Sequence, residues 1–464
     1  MKIYPNGLTI QGKPLGQAME EEKFEEGILK SLEKMGPGVR KLSFATSKST
    51  TIRDEMERKP LPDLGNPLAV GWTYLVNKND PDLQELENAV RPLAEWRGMK
   101  DEAKPLYYDG EGPDEWYDWM QMNYSSILMD RVPYYILILG GPDQVPFHFQ
   151  AFLDTAASVG RVAFDSLDDL KNYVGKIIGL EKAAEPKTDR EAVFFAPDYG
   201  PDDATYFSHH YMASPLSRHV MTKYNFQVKF LKEHEATKAN LEELLNEASP
   251  SLVYTASHGL GDPGLSLAEQ KKFNGAICCQ KQGRDWLFTA DDVSYDRPFL
   301  EGAVFFQFAC FGYGTPARSD FMHWMGENTF NAHEDFIAAL PKKLLAHPHG
   351  PIAFIGHVDT AWLHGFDDPN NPYITGQCHP RISPFINALE MLLDLQPMGI
   401  ALADMNKRYD ICNALLTNTF DRMQKGLVQK TKEFREQLIN TFITRSDAQN
   451  YMIFGDPAAH LRIR

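Results

Sequence analysis

The chain runs to 464 residues, 43% of them hydrophobic, enough for two or three domains with cores of their own. Its formal net charge of −16, with no basic run to offset it, excludes a nucleic-acid binder that works by neutralising phosphates. No stretch approaches the roughly 18 apolar residues that cross a bilayer, and the opening "MKIYPNGLTIQGKPLG" lacks a signal-peptide core, so a cytoplasmic chain without a membrane role is expected.

From the N-terminus, "EEEKFEEG" reads as a solvated charged helix, and "ATSKSTTIRDEMERKPLPDLGNP" is polar with prolines spaced as in a linker. Residues 1–65 are therefore set apart as an N-terminal extension. Beyond them, apolar runs recur: "YYILILGG" (134–141), "EAVFFAPD" (191–198), "SLVYTASHG" (251–259), "GAVFFQFAC" (302–310), "GPIAFIGH" (350–357) and "NYMIFGDP" (450–457). They are nearly continuous rather than alternating, as strands buried on both faces are. Helical patterns lie between them. Ser166 with Asp169 forms a capping box before a face of Leu170, Val174 and Ile177; Thr237 can cap "KANLEELLNEA". Late in the chain Leu427, Phe434, Leu438 and Phe442 form one stripe of a charged helix. Strand and helix alternate, so the class is α/β with mostly parallel sheet, and chemistry is expected beyond the carboxyl ends of strands.

His258, Cys310 and Asp198 all stand at such ends. His258 is followed by Gly259, and Cys310, 52 residues on (310 − 258), is followed by the glycine-broken turn "FGYG". A thiolate nucleophile, an imidazole to manage its proton and backbone donors for an oxyanion are the parts of acyl transfer. Gly259, lacking a side chain, lets its N–H approach a substrate carbonyl; the N–H of Cys310 is the second expected donor. Cys278, Cys279, Cys310, Cys378 and Cys412 are odd in number and irregularly spaced, fitting neither a disulfide framework nor a zinc ribbon. "HPHG" (347–350) and "SHH" (208–210) lack i,i+4 pairing and a convergent carboxylate, so they read as loop histidines and no metal is assigned. "GLGDPG" (259–264) matches GxGxxG, with Asp285 21 residues beyond Gly264. Pro263, however, falls where the loop would wrap a phosphate; a dinucleotide-binding enzyme stays as one alternative. A regulatory adaptor in which partner binding dominates is another.

At this point the chain resembles the gingipain-like cysteine peptidases, relatives of the caspases in clan CD. "YYILILGGPDQVP", "VGRVAFDSLDDLKNYVGKIIGLEK", "LVYTASHG", "FQFACFGYG", "GPIAFIGHVDTAW" and "YMIFGDPAAHLRI" match that family's segments in order. The resemblance implies a caspase-like fold of two side-by-side α/β subdomains, residues 66–185 and a catalytic 186–464. It implies a cysteine endopeptidase with Cys310 as nucleophile, His258 as general base and acid, and the N–H groups of Gly259 and Cys310 as oxyanion hole. Asp198 becomes the candidate for orienting His258, and Trp362, His210 and Asp203 the candidates for the substrate pocket. Arginine-specific members carry an acidic residue where His210 aligns, so a basic P1 residue rests on Asp203 and the net acidic charge. No cofactor is implied; a structural calcium ion is admitted by family analogy alone. A peptidase inside a cell must be restrained, so residues 1–65 are expected to inhibit or dock, with a processing site around Lys48 to Arg58. The partners expected are a protein or peptide substrate and a regulatory protein; a role in bacterial defence is expected by analogy.

Overall fold

The computed structural model describes residues 2–3, 6–15, 19–34, 63–99, 104–124, 133–281, 285–321, 331–362 and 382–464. The stretch Lys48 to Arg58 and Cys378 lie outside the described residues.

The elements that position the site are, in chain order, β1 (Gly7–Leu8) and α1 (Glu21–Lys34). Then come β2 (Trp72–Asn77), α2 (Leu83–Trp96), β3 (Leu106–Tyr108), β4 (Tyr135–Leu139), β5 (Ser158–Val162) and α3 (Leu167–Lys182). After residue 185 follow β6 (Asp189–Ala196), β7 (Gln227–Lys232), β8 (Pro250–Ala256), β9 (Gly259–Leu260), β10 (Val304–Phe308) and β11 (Ala353–His357). The chain closes with α4 (Ala403–Gln424), α5 (Lys432–Gln449) and β12 (Tyr451–Phe454).

Ten strands form one sheet in the order β3-β2-β4-β5-β12-β11-β10-β8-β6-β7. Every neighbouring pair is parallel except β12 with β11. Strands from before residue 185 thus lie side by side on one flank and those after it on the other, and β12 from the C-terminal end joins them. The architecture is the expected α/β one. Every residue of β4, β5, β8, β10 and β11 is buried, because helices cover both faces and leave no position for a polar residue to alternate outward.

The helix starts follow the sequence reading. The N–H of Asp169 donates to Ser166 Oγ at 3.1 Å, and that of Asn240 to Thr237 Oγ1 at 3.2 Å. Two expectations need correction. Leu427 is exposed and lies before α5, outside the buried stripe of Leu438 and Phe442. The charged helix α1 is not solvated all round, since Phe24 and Ile28 are fully buried against α5. Neither Phe24 nor Ile28 could be assigned a partner from local pattern, because that partner lies about four hundred residues away in the chain.

Candidate active site

Two parallel neighbours, β8 and β10, end side by side, and the chain beyond each carries a candidate side chain. His258 lies two residues past Ala256 and Cys310 two past Phe308. The backbones there approach so closely that a Cβ on Gly259 would stand 1.7 Å from the Cys310 carbonyl oxygen. Glycine is obligatory at that position for packing, independently of any catalytic role. After Cys310 the chain turns through Phe311 in the left-handed region (φ 58°), whose N–H donates to Asp359 O at 2.9 Å.

His258 is buried, and both ring nitrogens face oxygen. Nε2 lies 2.9 Å from Asp203 Oδ1, and Nδ1 lies 3.1 Å from the backbone carbonyl of Asn6. A neutral ring whose proton sits on Nε2, towards Asp203, keeps Nδ1 free to take up a second proton, and with it the ring donates to both oxygens. Burial pushes the Asp203 carboxyl up, but the bonds from His258 and Thr205 outweigh it and hold the group below its ordinary value.

Cys310 is fully enclosed. The N–H of Ala361 donates to its Sγ at 3.2 Å. Burial drives the thiol pKa well up, offset in part by backbone N–H groups at Ala361 and Asn6. What encloses it is the N-terminal segment. β1 adds in parallel to β9, with Gly7 opposite Gly259 and Leu8 opposite Leu260.

The remaining candidate residues separate in space. Asp203, expected in the pocket, is instead the carboxylate on His258. Asp198, expected to orient His258, instead faces the pair His209 and His210, with Oδ2 3.6 Å from His209 Nδ1 and 3.2 Å from His210 Nε2. His210 is thereby turned to Asp198 rather than standing as a pocket base. The cause is local: residues 208–213 form a π-helical turn, not a loop, which swings the histidines towards the Asp198 loop. Ligand atoms of Asp198, His209 and His210 lie within 4.8 Å of one another, two imidazole nitrogens and one carboxylate that suit a zinc-class ion better than calcium. Trp362 is fully buried under Phe24 (ring centroids 5.7 Å) and Phe321 (4.9 Å), so no open pocket wall is seen there. "GLGDPG" makes β9 and a turn in which Asp262 accepts from the N–H of Gly264 at 2.9 Å and of Ile10 at 3.2 Å. It cradles the N-terminal segment rather than a pyrophosphate.

Sequence reasoning missed Asn6 and Ala361, which carry no side-chain signal of chemistry. It also misplaced Asp203, although "DDAT" does hold a cue, an Asp that caps the short helix Ala204–Phe207 through the N–H of Thr205.

A buried thiol and a carboxylate-held imidazole thus stand just past adjacent strand ends of a mostly parallel sheet. A family model for peptidase family C25 matches residues 79–462, and the chain belongs to that family, a family of cysteine peptidases. Among solved structures, a complex of Porphyromonas gingivalis RgpB pro- and mature domains is similar at 14% identity, over 84% of this chain and 79% of that one, with TM-score 0.47. The Arg-specific cysteine proteinase gingipain R (RgpB) is similar at 13% identity over 87% and 80%, with TM-score 0.45. A structure described only as a protease reaches TM-score 0.51 at 11% identity over 87% and 80%, a likeness of fold. No curated protein matches the chain.

Proposed function

We propose that the protein is a cysteine endopeptidase in which Cys310 attacks the scissile carbonyl and His258 passes the thiol proton to the leaving amine. The N–H groups of Gly259 and Cys310 hold the oxyanion, and Asp203 positions His258. The observation that carries this reading is the Asn6 carbonyl: it is a peptide carbonyl already seated against His258 Nδ1 at 3.1 Å and the Gly259 N–H at 3.4 Å, beside the Cys310 backbone. A carbonyl held by those donors is polarised for attack by a thiolate, and an acyl-enzyme then forms and is hydrolysed. Loss of one such donor typically costs about 2.7–4 kcal/mol of transition-state stabilisation.

The same contacts support a latent enzyme, since β1 lies where a peptide substrate would. The described cysteines Cys278, Cys279, Cys310 and Cys412 are all free, which supports a reducing compartment such as the cytoplasm; fractionating cells and finding the protein outside it would overturn that part. The catalytic reading is tested with Cys310→Ala and His258→Ala, each expected to abolish peptide cleavage while leaving the unfolding midpoint near that of the unaltered chain. An electrophilic peptide probe is expected to label Cys310 and no other cysteine. Full activity in either variant, or a probe that never reacts at Cys310, would favour an adaptor in which the fold is kept for binding.

A further inference from the structure

We propose that the cleft selects asparagine as the residue before the cut bond, and that Asn6 is the chain's own substrate residue, with Asn6–Gly7 as a self-cleavage bond. The inference rests on the reading of Cys310 and His258 as the catalytic pair.

Three sets of contacts place Asn6 as a bound substrate residue. Its N–H donates to the carbonyl of Ala361 at 3.2 Å, while its own carbonyl faces the Gly259 N–H and His258 Nδ1. The residues that follow continue along the far rim, where β1 pairs with β9 and the N–H of Gly261 donates to Leu8 O at 3.0 Å. The side chain of Asn6 is wholly enclosed, and its Nδ2 donates to the carbonyl of Ser257 at 3.2 Å. The subsite therefore offers a backbone oxygen at the depth of a carboxamide. An amide N–H₂ can donate to it; an aspartate carboxylate would meet it oxygen to oxygen. The longer arms of lysine and arginine would have to displace the residues that enclose Asn6. Their expected acidic partner, Asp203, is already bound to His258 and to Thr205. Discrimination lies with Nδ2, since Asn6 Oδ1 finds no partner among the described residues.

In the reaction, Cys310 Sγ forms a bond to the Asn6 carbonyl carbon and its proton passes to His258. The bond from that carbon to the Gly7 nitrogen breaks, and the nitrogen leaves with the proton from His258. Water then attacks the thioester, giving a carboxyl group on Asn6 and restoring the thiol. Residues 1–6 depart and the remaining chain begins at Gly7.

The test uses the full chain in two arms. Incubation followed by intact-mass measurement is expected to show loss of residues 1–6 from the unaltered protein and none from Cys310→Ala. The isosteric Asn6→Asp should slow the loss about tenfold or more, because a site built around one polar contact rejects the analogue that cannot make it. In the second arm, peptides that differ only in the residue before Gly-Leu are mixed with the unaltered chain. Asparagine is expected to be cut about tenfold faster than arginine or lysine. A profile led by arginine or lysine, or a self-cut at another bond, would overturn this inference and leave the peptidase reading intact. Cleavage of no peptide and no chain would remove both.

Discussion

Asp198 and Asp203 sit five residues apart (203 − 198), and only the geometry says which serves His258. Asp198 engages the N–H of Gly200 through Oδ1 and turns Oδ2 to His209 and His210, whereas Asp203 reaches Nε2. Asp203→Asn should therefore lower kcat by about two to four orders of magnitude, as when a histidine loses the carboxylate that fixes its proton. Asp198→Asn should leave kcat near that of the unaltered chain, and steady-state kinetics on both variants checks the assignment. The Asp203–His258 pair also has a pH signature. The carboxyl is held below its unfolded value of about 3.9, so the stability it adds is present above that pH and lost as pH falls through the lowered value. Urea midpoints measured between pH 3 and 6 should converge for Asp203→Asn and the unaltered protein at the acid end and separate above it.

At the scale of elements, the strand ends were legible because buried parallel strands write themselves as unbroken apolar runs that stop at Gly, Asp or His. What stayed hidden was the pairing across sequence distance. β12 runs out into "FGDP", and Asp456, two residues past its end, is fully buried, accepting from Trp72 Nε1 at 2.9 Å and from Arg97 Nε at 2.7 Å. Arg97 in turn binds Glu181 at the end of α3 through both terminal nitrogens. One carboxylate thus ties β2, the end of α2 and α3 to the strand that joins the two flanks of the sheet. Asp456→Ala strands a buried guanidinium with only part of its countercharge, which costs about 3–5 kcal/mol. A denaturant titration should show that loss. A change under about 1 kcal/mol, the scale of an exposed ion pair, would mean that Glu181 alone satisfies Arg97. No local pattern announces such a bond, because its partners are 384 and 359 residues distant.

For the whole molecule, the N-terminal segment is the feature that sequence composition disguised most. Its charged residues suggested a solvated piece, yet one face of α1 seals the tryptophan beside the cleft. Phe24 meets Trp362 edge-on, Ile28 joins the cluster formed with Leu438 and Phe442, and Glu25 pairs with Arg435 at 2.7 Å. Helix α1 and β1 together form a strap anchored at two points, one over Trp362 and one over Cys310. Opening the strap at either anchor should expose the thiol. Phe24→Ala removes a buried side chain worth about 3–5 kcal/mol, and each 1.4 kcal/mol is roughly tenfold in an opening equilibrium. If the strap opens as a unit, alkylation of Cys310 by iodoacetamide should rise about a hundredfold in that variant, read by peptide mass mapping. Cys279, buried in the main core away from the strap, serves as the internal control and should stay unreactive. Equal alkylation of Cys310 in both proteins would mean that β1 shields the site without help from α1, so the latent state would reside in the strand alone.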